Sequence, residues 1–339
     1  MKSVNILAPQ DLRVETAERP TLTEGQAIIR IKYCGICGGD PTAYSGKNPT
    51  CKYPIIGLGH EGAGYIEEIG ENDKGLKVGD EVVLEPYIPC GQCHQCQQGR
   101  YNNCTDIRVT GVHSVGMMRE YFSHPIALVH KIPSEISLER AVLAEPFTVG
   151  LHAATRAKVA KDDVCLIIGA GVIGTMAAYA VKHYGGKPLI VDVIGKKLDK
   201  VKEMGYEYIC NSTKTDVVSW LAEVTDGHMA DVIIETSGSP YVIKEMHQYC
   251  AHGARIALVG WPHTPVEVNT IRLMQKEVDI YGSRNSCDKF AEALKLIKEG
   301  FLPEDQLITA FVPMDEINET MQKMMEQPQD YLKVVVEIG

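Results

Sequence analysis

The run Gly169-Ala-Gly171-Val-Ile-Gly174 follows the apolar stretch VCLII and opens a helix-like segment, TMAAYAVKHYG. A G-x-G-x-x-G turn means little alone, but between a strand and a helix each glycine has a task. The first makes the tight turn, the second lets the backbone approach a pyrophosphate, and the third lets helix and strand pack closely. Helix N-terminal residues Val172 and Ile173 then offer N–H donors and a positive dipole end to phosphates. The rhythm continues through PLIVDV, KKLDKVKEMG, YEYIC, DVVSWLAEVTDG, ADVIIETSG, YVIKEMHQYCAHG, ARIALVGW and VDIYGS. Strands and helices in alternation predict βαβ units on a parallel, doubly wound sheet, a Rossmann fold. Asp192 ends the second strand, eighteen residues past Gly174, where an acid binds the adenosine ribose hydroxyls. Its charge repels a 2′-phosphate, so the expected coenzyme is NAD. Lys196 and Lys197 open the next helix; Lys197 is counted with the coenzyme residues, against the plainer reading of two solvated lysines.

The first 150 residues read differently. AIIRIKY, GAGYIEEIG, DEVVLEPY and AVLAEP are short β-like runs separated by GLGHEG, KGLKVGD and a cysteine cluster, which suits a β-rich domain with long loops. After Ser286 the helical DKFAEALKLIKEG and the strand-like LKVVVEI break the βαβ rhythm, and this tail is expected to return to the first domain. The boundaries are placed at 1–148 with 287–339 for the β-rich domain and 149–286 for the Rossmann domain. A length of 339 residues suits two domains. No apolar run is long enough to cross a bilayer, and the N-terminal segment lacks a secretory h-region, so a cytoplasmic protein without membrane contact is expected. A net charge of −10, with no dense basic run among 34 Lys and Arg, argues against a nucleic-acid partner.

The chain has eleven cysteines. In a reducing compartment, clustered cysteines are metal ligands more often than disulfides. Cys90, Cys93, Cys96 and Cys104 offer four thiolates in one loop, as a closed structural zinc site requires; an iron–sulfur cluster or a redox centre can use the same set. Cys51, Cys165, Cys210, Cys250 and Cys287 stand apart and read as buried thiols. Cys34 and Cys37 share the segment CGICGGD, His60 and Glu61 lie side by side on a glycine-rich turn, and Glu145 precedes the Rossmann domain.

GICGGD, the GHExxGxxxxxG pattern from Gly59 to Gly70, VGDEV, the four-cysteine lobe, AEPFTVGLHA and GAGVIG together resemble the zinc-dependent medium-chain dehydrogenases, the alcohol dehydrogenase-like family, over essentially the whole chain. Glu145 and the GVHSVG loop look most like the sorbitol, galactitol-phosphate, threonine and sugar-acid branch, bacterial galactonate 5-dehydrogenases above all. The resemblance implies a GroES-like catalytic domain, a homodimer or homotetramer, two zinc ions per subunit, and zinc rather than iron in the cysteine lobe. It further implies that Cys37, not Cys34, is a catalytic ligand with His60 and Glu145, and that Glu61 is a neighbour able to bind directly or to exchange with water. Asp40 then holds the ligand loop from behind.

An open position on such a metal takes water or a substrate hydroxyl. The expected reaction moves a hydride from a secondary alcohol of a polyol or sugar acid to NAD⁺. Threonine-type or phosphorylated-polyol activity is the alternative, and a silent zinc and nucleotide binder is the reading from another class. Family members with a hydroxyl-to-imidazole proton relay carry it where this chain has Gly39 and Thr42. A water route, helped by Thr42, Tyr44 or substrate hydroxyls, is expected instead, with Glu61 or Glu145 as acceptor through bound water. Tyr44, His113, Arg119 and Arg284 are the candidate substrate contacts, each with surface or packing as the plainer alternative.

Overall fold

The computed structural model describes residues 1–47 and 51–339. The chain divides into two compact units, Met1–Glu145 with Phe290–Gly339, and Pro146–Lys289. The cuts expected from the sequence, before 149 and after 286, fall three residues inside the second unit, which runs from 146 to 289.

The first unit is organised by the eleven-residue strand Gln26–Ile36. Its run of Ile and Ala residues suits a strand covered on both faces, and Ala27, Ile28, Ile29, Ile31, Cys34 and Ile36 are all buried. Glu61–Ile69 pairs antiparallel along one edge. The other edge is shared: Tyr121–Pro125 covers its first half, and the terminal strand Lys333–Glu337 covers Tyr33 to Ile36. Ile308–Pro313 lies parallel to the terminal strand. The tail therefore returns to the first unit because its strands complete that sheet. Met314, Ile317, Met321, Val334 and Val336 join Ile6, Ile29, Tyr44 and Leu84 in one hydrophobic core.

The second unit is a six-stranded parallel sheet in the spatial order Ile209–Asn211, Lys187–Asp192, Val164–Ile168, Ala230–Glu235, Cys250–Leu258, Asp279–Gly282. In chain order this is 3-2-1-4-5-6, the doubly wound arrangement of the Rossmann fold. Ligands bind such sheets where the strand order reverses, past the carboxyl ends of the first and fourth strands. Gly169 and Thr236 stand there, each just beyond its strand. Among the described residues, no helix is long and apolar enough to cross a membrane.

His124, on Tyr121–Pro125, is fully buried and its Nε2 lies 2.9 Å from the carbonyl oxygen of Glu85. Burial pushes its imidazole down to about 4, against the help of that carbonyl. Because the folded value lies below the unfolded one, the unfolded chain takes up the extra proton. The stability at stake is intact above about pH 6.5 and declines towards pH 4, by about 3 kcal/mol. In urea titrations His124→Gln should therefore lose less stability than the parent chain between pH 6.5 and 4. Parallel losses in the two proteins would contradict this assignment.

Candidate metal centre and coenzyme loop

Strand register brings the metal-ligating side chains together. Gly35 stands opposite Glu61 in the antiparallel pair, so Cys37, just past the end of one strand, and His60, just before the start of the other, leave the same edge of the sheet. Ligand atoms of Cys37, His60 and Glu61 lie within 4.8 Å of one another. Cys34 points into the core, fully buried, with its thiol 3.7 Å from the carbonyl of Gly35. Asp40 is buried and accepts the backbone N–H of Cys37 at 2.9 Å, so it holds the ligand loop from behind. Burial raises its carboxyl above the ordinary value.

Glu145 sits in the first turn of the helix Ala144–Arg156, buried, and accepts a hydrogen bond from the hydroxyl of Tyr87. Burial pushes its carboxyl up to about 7, and neighbouring Glu61 adds to this against the pull of His60, the Tyr87 hydroxyl and Lys333. Burial disfavours the imidazolium of His60, but the thiolate charge and hydrogen bond of Cys37, then Asp40 and Glu145, overcome it and hold His60 well above its ordinary value. A pocket that draws a proton onto a buried histidine has an excess of negative charge. The Nδ1 of His60 is also buried with no hydrogen-bond partner among the described residues. A thiol sulfur, an imidazole nitrogen and a carboxylate oxygen within 4.8 Å of one another are a donor set that fits a divalent metal of the zinc type.

Lys333 was not singled out in the sequence. Its ammonium is buried, 2.6 and 2.5 Å from the two oxygens of Glu61 and 2.9 Å from the carbonyl of Ile36. Burial opposes its charge, yet Glu61 and Cys37 outweigh that cost and hold its pKa above the usual value. A lysine within the apolar terminal run LKVVVEI was the available signal. Tyr87 was also missed, and nothing in its surrounding sequence marks it.

The four cysteines of the lobe also gather, with ligand atoms within 4.8 Å of one another. Backbone N–H groups of Cys96 and Thr105 pull the Cys93 thiol down to about 5. The Sγ of Cys104 accepts the N–H groups of Cys90 and Asp106 at 3.2 and 3.4 Å. Four thiols surrounded by N–H donors, with only a small apolar cluster of Tyr87, Cys104 and Ile107 beneath them, match a closed S4 metal site.

In the second unit the three glycines of the turn differ in what a side chain would meet. Gly169 has φ +109°, in the region that favours glycine, and a Cβ there would lie 2.6 Å from the Thr236 hydroxyl. A Cβ on Gly174 would sit 1.7 Å from the carbonyl oxygen of Gly169, so the helix can approach the strand only without one. At Gly171 the space is open. Gly171 is the N-cap of the helix Val172–His183, whose first residues are Val172 and Ile173. An open, half-buried cradle at a helix N-terminus fits a pyrophosphate. The Asp192 carboxylate accepts N–H groups of Ala170 and Ile194, both at 2.7 Å, which fixes it beside the loop. Lys197 lies half-buried in the helix Gly195–Glu203.

The candidate substrate residues of the first unit, Tyr44, His113 and Arg119, have different surroundings. Tyr44 is fully buried in the core, its hydroxyl 3.0 Å from Asn318 Oδ1 and 3.3 Å from Gln322 Nε2. The reading of Tyr44 as a substrate contact is therefore corrected: the tail helix Ile317–Glu326, distant in sequence, takes up its polar end. His113 is exposed and its Nδ1 accepts the N–H of Val109 at 3.1 Å. Arg119 reaches the carbonyl of Glu18 at 3.3 Å, and its buried Nε lacks a partner among the described residues. Arg284 belongs to the second unit, beyond the strand Asp279–Gly282. Thr42 is half-buried and its carbonyl accepts the hydroxyl of Ser45. At Gly39 a Cβ would meet only the Cys37 sulfur, at 4.0 Å, so the missing hydroxyl there is not a steric necessity.

A β-rich unit with two sets of metal-type ligands, joined to a Rossmann unit with a dinucleotide cradle, defines a two-domain zinc-type dehydrogenase. Family models for an alcohol dehydrogenase GroES-like domain and for a zinc-binding dehydrogenase match residues 23–134 and 172–299. The chain belongs to the zinc-type alcohol dehydrogenase family. It is 38% identical to an uncharacterised zinc-type alcohol dehydrogenase-like protein of Haemophilus influenzae, over 98% of each chain. It is 31% identical to the L-galactonate-5-dehydrogenase of Escherichia coli, over 99% of each. A solved structure described as a short chain alcohol dehydrogenase of Escherichia coli CFT073, complexed with NADH, superposes with a TM-score of 0.93 at 31% identity and 99% coverage of each chain.

Two expectations follow. Gly171→Val should leave the thermal midpoint near that of the parent, because its side chain meets open space, yet weaken dinucleotide binding about tenfold or more by filling the cradle; fluorescence titration with NADH reads the difference, and unchanged affinity would rule out this cradle. Lys333→Met should destabilise the fold by about 3–5 kcal/mol in urea titrations, since a buried carboxylate loses its counter-ion, and adding Glu61→Gln should restore most of the loss.

Proposed function

We propose that this protein oxidises a secondary alcohol of a polyhydroxylated small molecule, a polyol or sugar acid, with NAD⁺ as hydride acceptor. The observation that carries the reading is the gathering of Cys37, His60 and Glu61, with the buried Glu145 near enough to feel the charges of His60 and Glu61, in a chain that also holds an open glycine cradle. Cys37, His60 and a carboxylate would hold zinc, which would supply Lewis-acid polarisation of the substrate hydroxyl, and a bound dinucleotide would supply the hydride acceptor. Asp192, whose carboxylate is fixed beside the loop by the N–H groups of Ala170 and Ile194 and would repel a 2′-phosphate, supports NAD over NADP.

The chain's own residues divide the remaining work. Cys37 and His60 are fixed by strand ends, and Asp40 keeps the Cys37 loop in place. Lys333 grips both oxygens of Glu61, which removes Glu61 as the first proton acceptor and leaves it as a balanced charge beside the metal. Glu145, through ordered water, then takes the hydroxyl proton, since Gly39 offers no side chain for a relay. The sugar-acid substrate class is supported by the whole-length likeness to the L-galactonate-5-dehydrogenase.

Polyols, aldonates, their phosphates and amino alcohols should be screened for NAD⁺ reduction at 340 nm, before and after removal and return of zinc. The expected result is turnover on a non-phosphorylated polyol or aldonate, lost with the metal and regained with zinc. Turnover confined to phosphorylated polyols or threonine would replace the substrate class. NADH binding without turnover on any of them would sink the enzyme reading.

A further inference from the structure

The two candidate metal sites of the first unit are not independent. Tyr87 begins the short strand Tyr87–Ile88, which pairs with Arg108–Val109 and runs directly towards Cys90. Its ring is buried in the apolar cluster under the lobe, with Cys104 and Ile107 and against Cys90, Cys93, Cys96 and Val109. Its hydroxyl donates to Glu145 in the other site. One rigid side chain thus has its body in the four-cysteine lobe and its polar tip on a carboxylate of the catalytic pocket.

We propose that Tyr87 is a positioning residue that orients the Glu145 carboxylate from the four-cysteine lobe, so that the geometry of the catalytic site depends on the lobe being folded. The physical reasons are rigidity and charge. A tyrosine has two side-chain torsions, and packing of its ring fixes both, so the hydroxyl has little freedom to follow a moving carboxylate. A hydrogen bond to a carboxylate is among the stronger ones, and its loss in a buried pocket removes a contact that fixes the acceptor's orientation. The bond also sets which Glu145 oxygen faces the phenol and therefore which oxygen would be left for a bound metal. The inference rests on the reading of Cys37, His60 and Glu145 as one metal pocket.

The test uses full-length protein with cobalt(II) exchanged into the catalytic site and zinc retained in the lobe. Tyr87→Phe keeps the ring and removes only the hydroxyl. It should retain lobe zinc, shift the visible d–d bands of the catalytic cobalt, and lower kcat about tenfold with KM within about twofold. Cys96→Ser, which loosens the lobe, should shift the same bands in the parent chain but add no further shift in the Tyr87→Phe background, the signature of two residues acting through one contact. Tyr87→Phe with unchanged cobalt bands and unchanged kcat overturns the inference, as does an equal, additive shift from Cys96→Ser in both backgrounds. Should Cys96→Ser fail to fold, the Tyr87→Phe spectrum still decides. The underlying metal reading fails differently: the parent chain would then show no cobalt band from a thiolate-bearing site at all.

Discussion

A single buried lysine connects the last strand of the chain to the pocket formed near its start. Lys333 lies on the terminal strand, and its ammonium holds both oxygens of Glu61 and the carbonyl of Ile36, the residue before Cys37 is reached. An unpaired ammonium would be too costly to bury there, and so would an unpaired Glu61. Each makes the other possible. The charge that balances Glu61 arrives with the tail, which follows the whole Rossmann unit in the chain.

Charge balance then shapes the pocket's chemistry. Cys37, two glutamates and Asp40 lie close together around His60: burial raises the carboxyls of Asp40 and Glu145, with Glu61 adding to it, and Cys37, Asp40 and Glu145 raise the imidazole of His60 against its burial. Lys333 offsets one of these charges permanently. A divalent ion would offset two more. With Glu61 bound to its lysine, the two carboxylates have different partners, one an ammonium and the other a phenol. Environments that push paired groups apart are how a site separates its acids from its bases.

Much of this was legible because it is carried by local spacing. The GAGVIG turn after VCLII needs glycine at Gly169 for backbone conformation and at Gly174 for close packing, and both reasons operate within a few residues. The four cysteines fall within fifteen residues and cannot scatter far. Alternation of strands and helices from Val164 to Gly282 leaves little choice of sheet type. The tail's departure from that rhythm announced its return to the first unit, although not which strand it would join.

Sequence alone determined the two fold types, the dinucleotide turn and the inventory of metal-type ligands, since these depend on contacts between near neighbours and on residue chemistry. Tertiary structure decided the partners. Tyr44 looked available for substrate until the helix Ile317–Glu326 was seen to take its hydroxyl, and Glu61 looked like an ordinary neighbour until Lys333 closed on it. Tyr87 and Glu145, fifty-eight positions apart, meet only because strand and helix converge on one buried pocket. Spacing in sequence carries no information about such meetings, because burial and packing across distant segments set them.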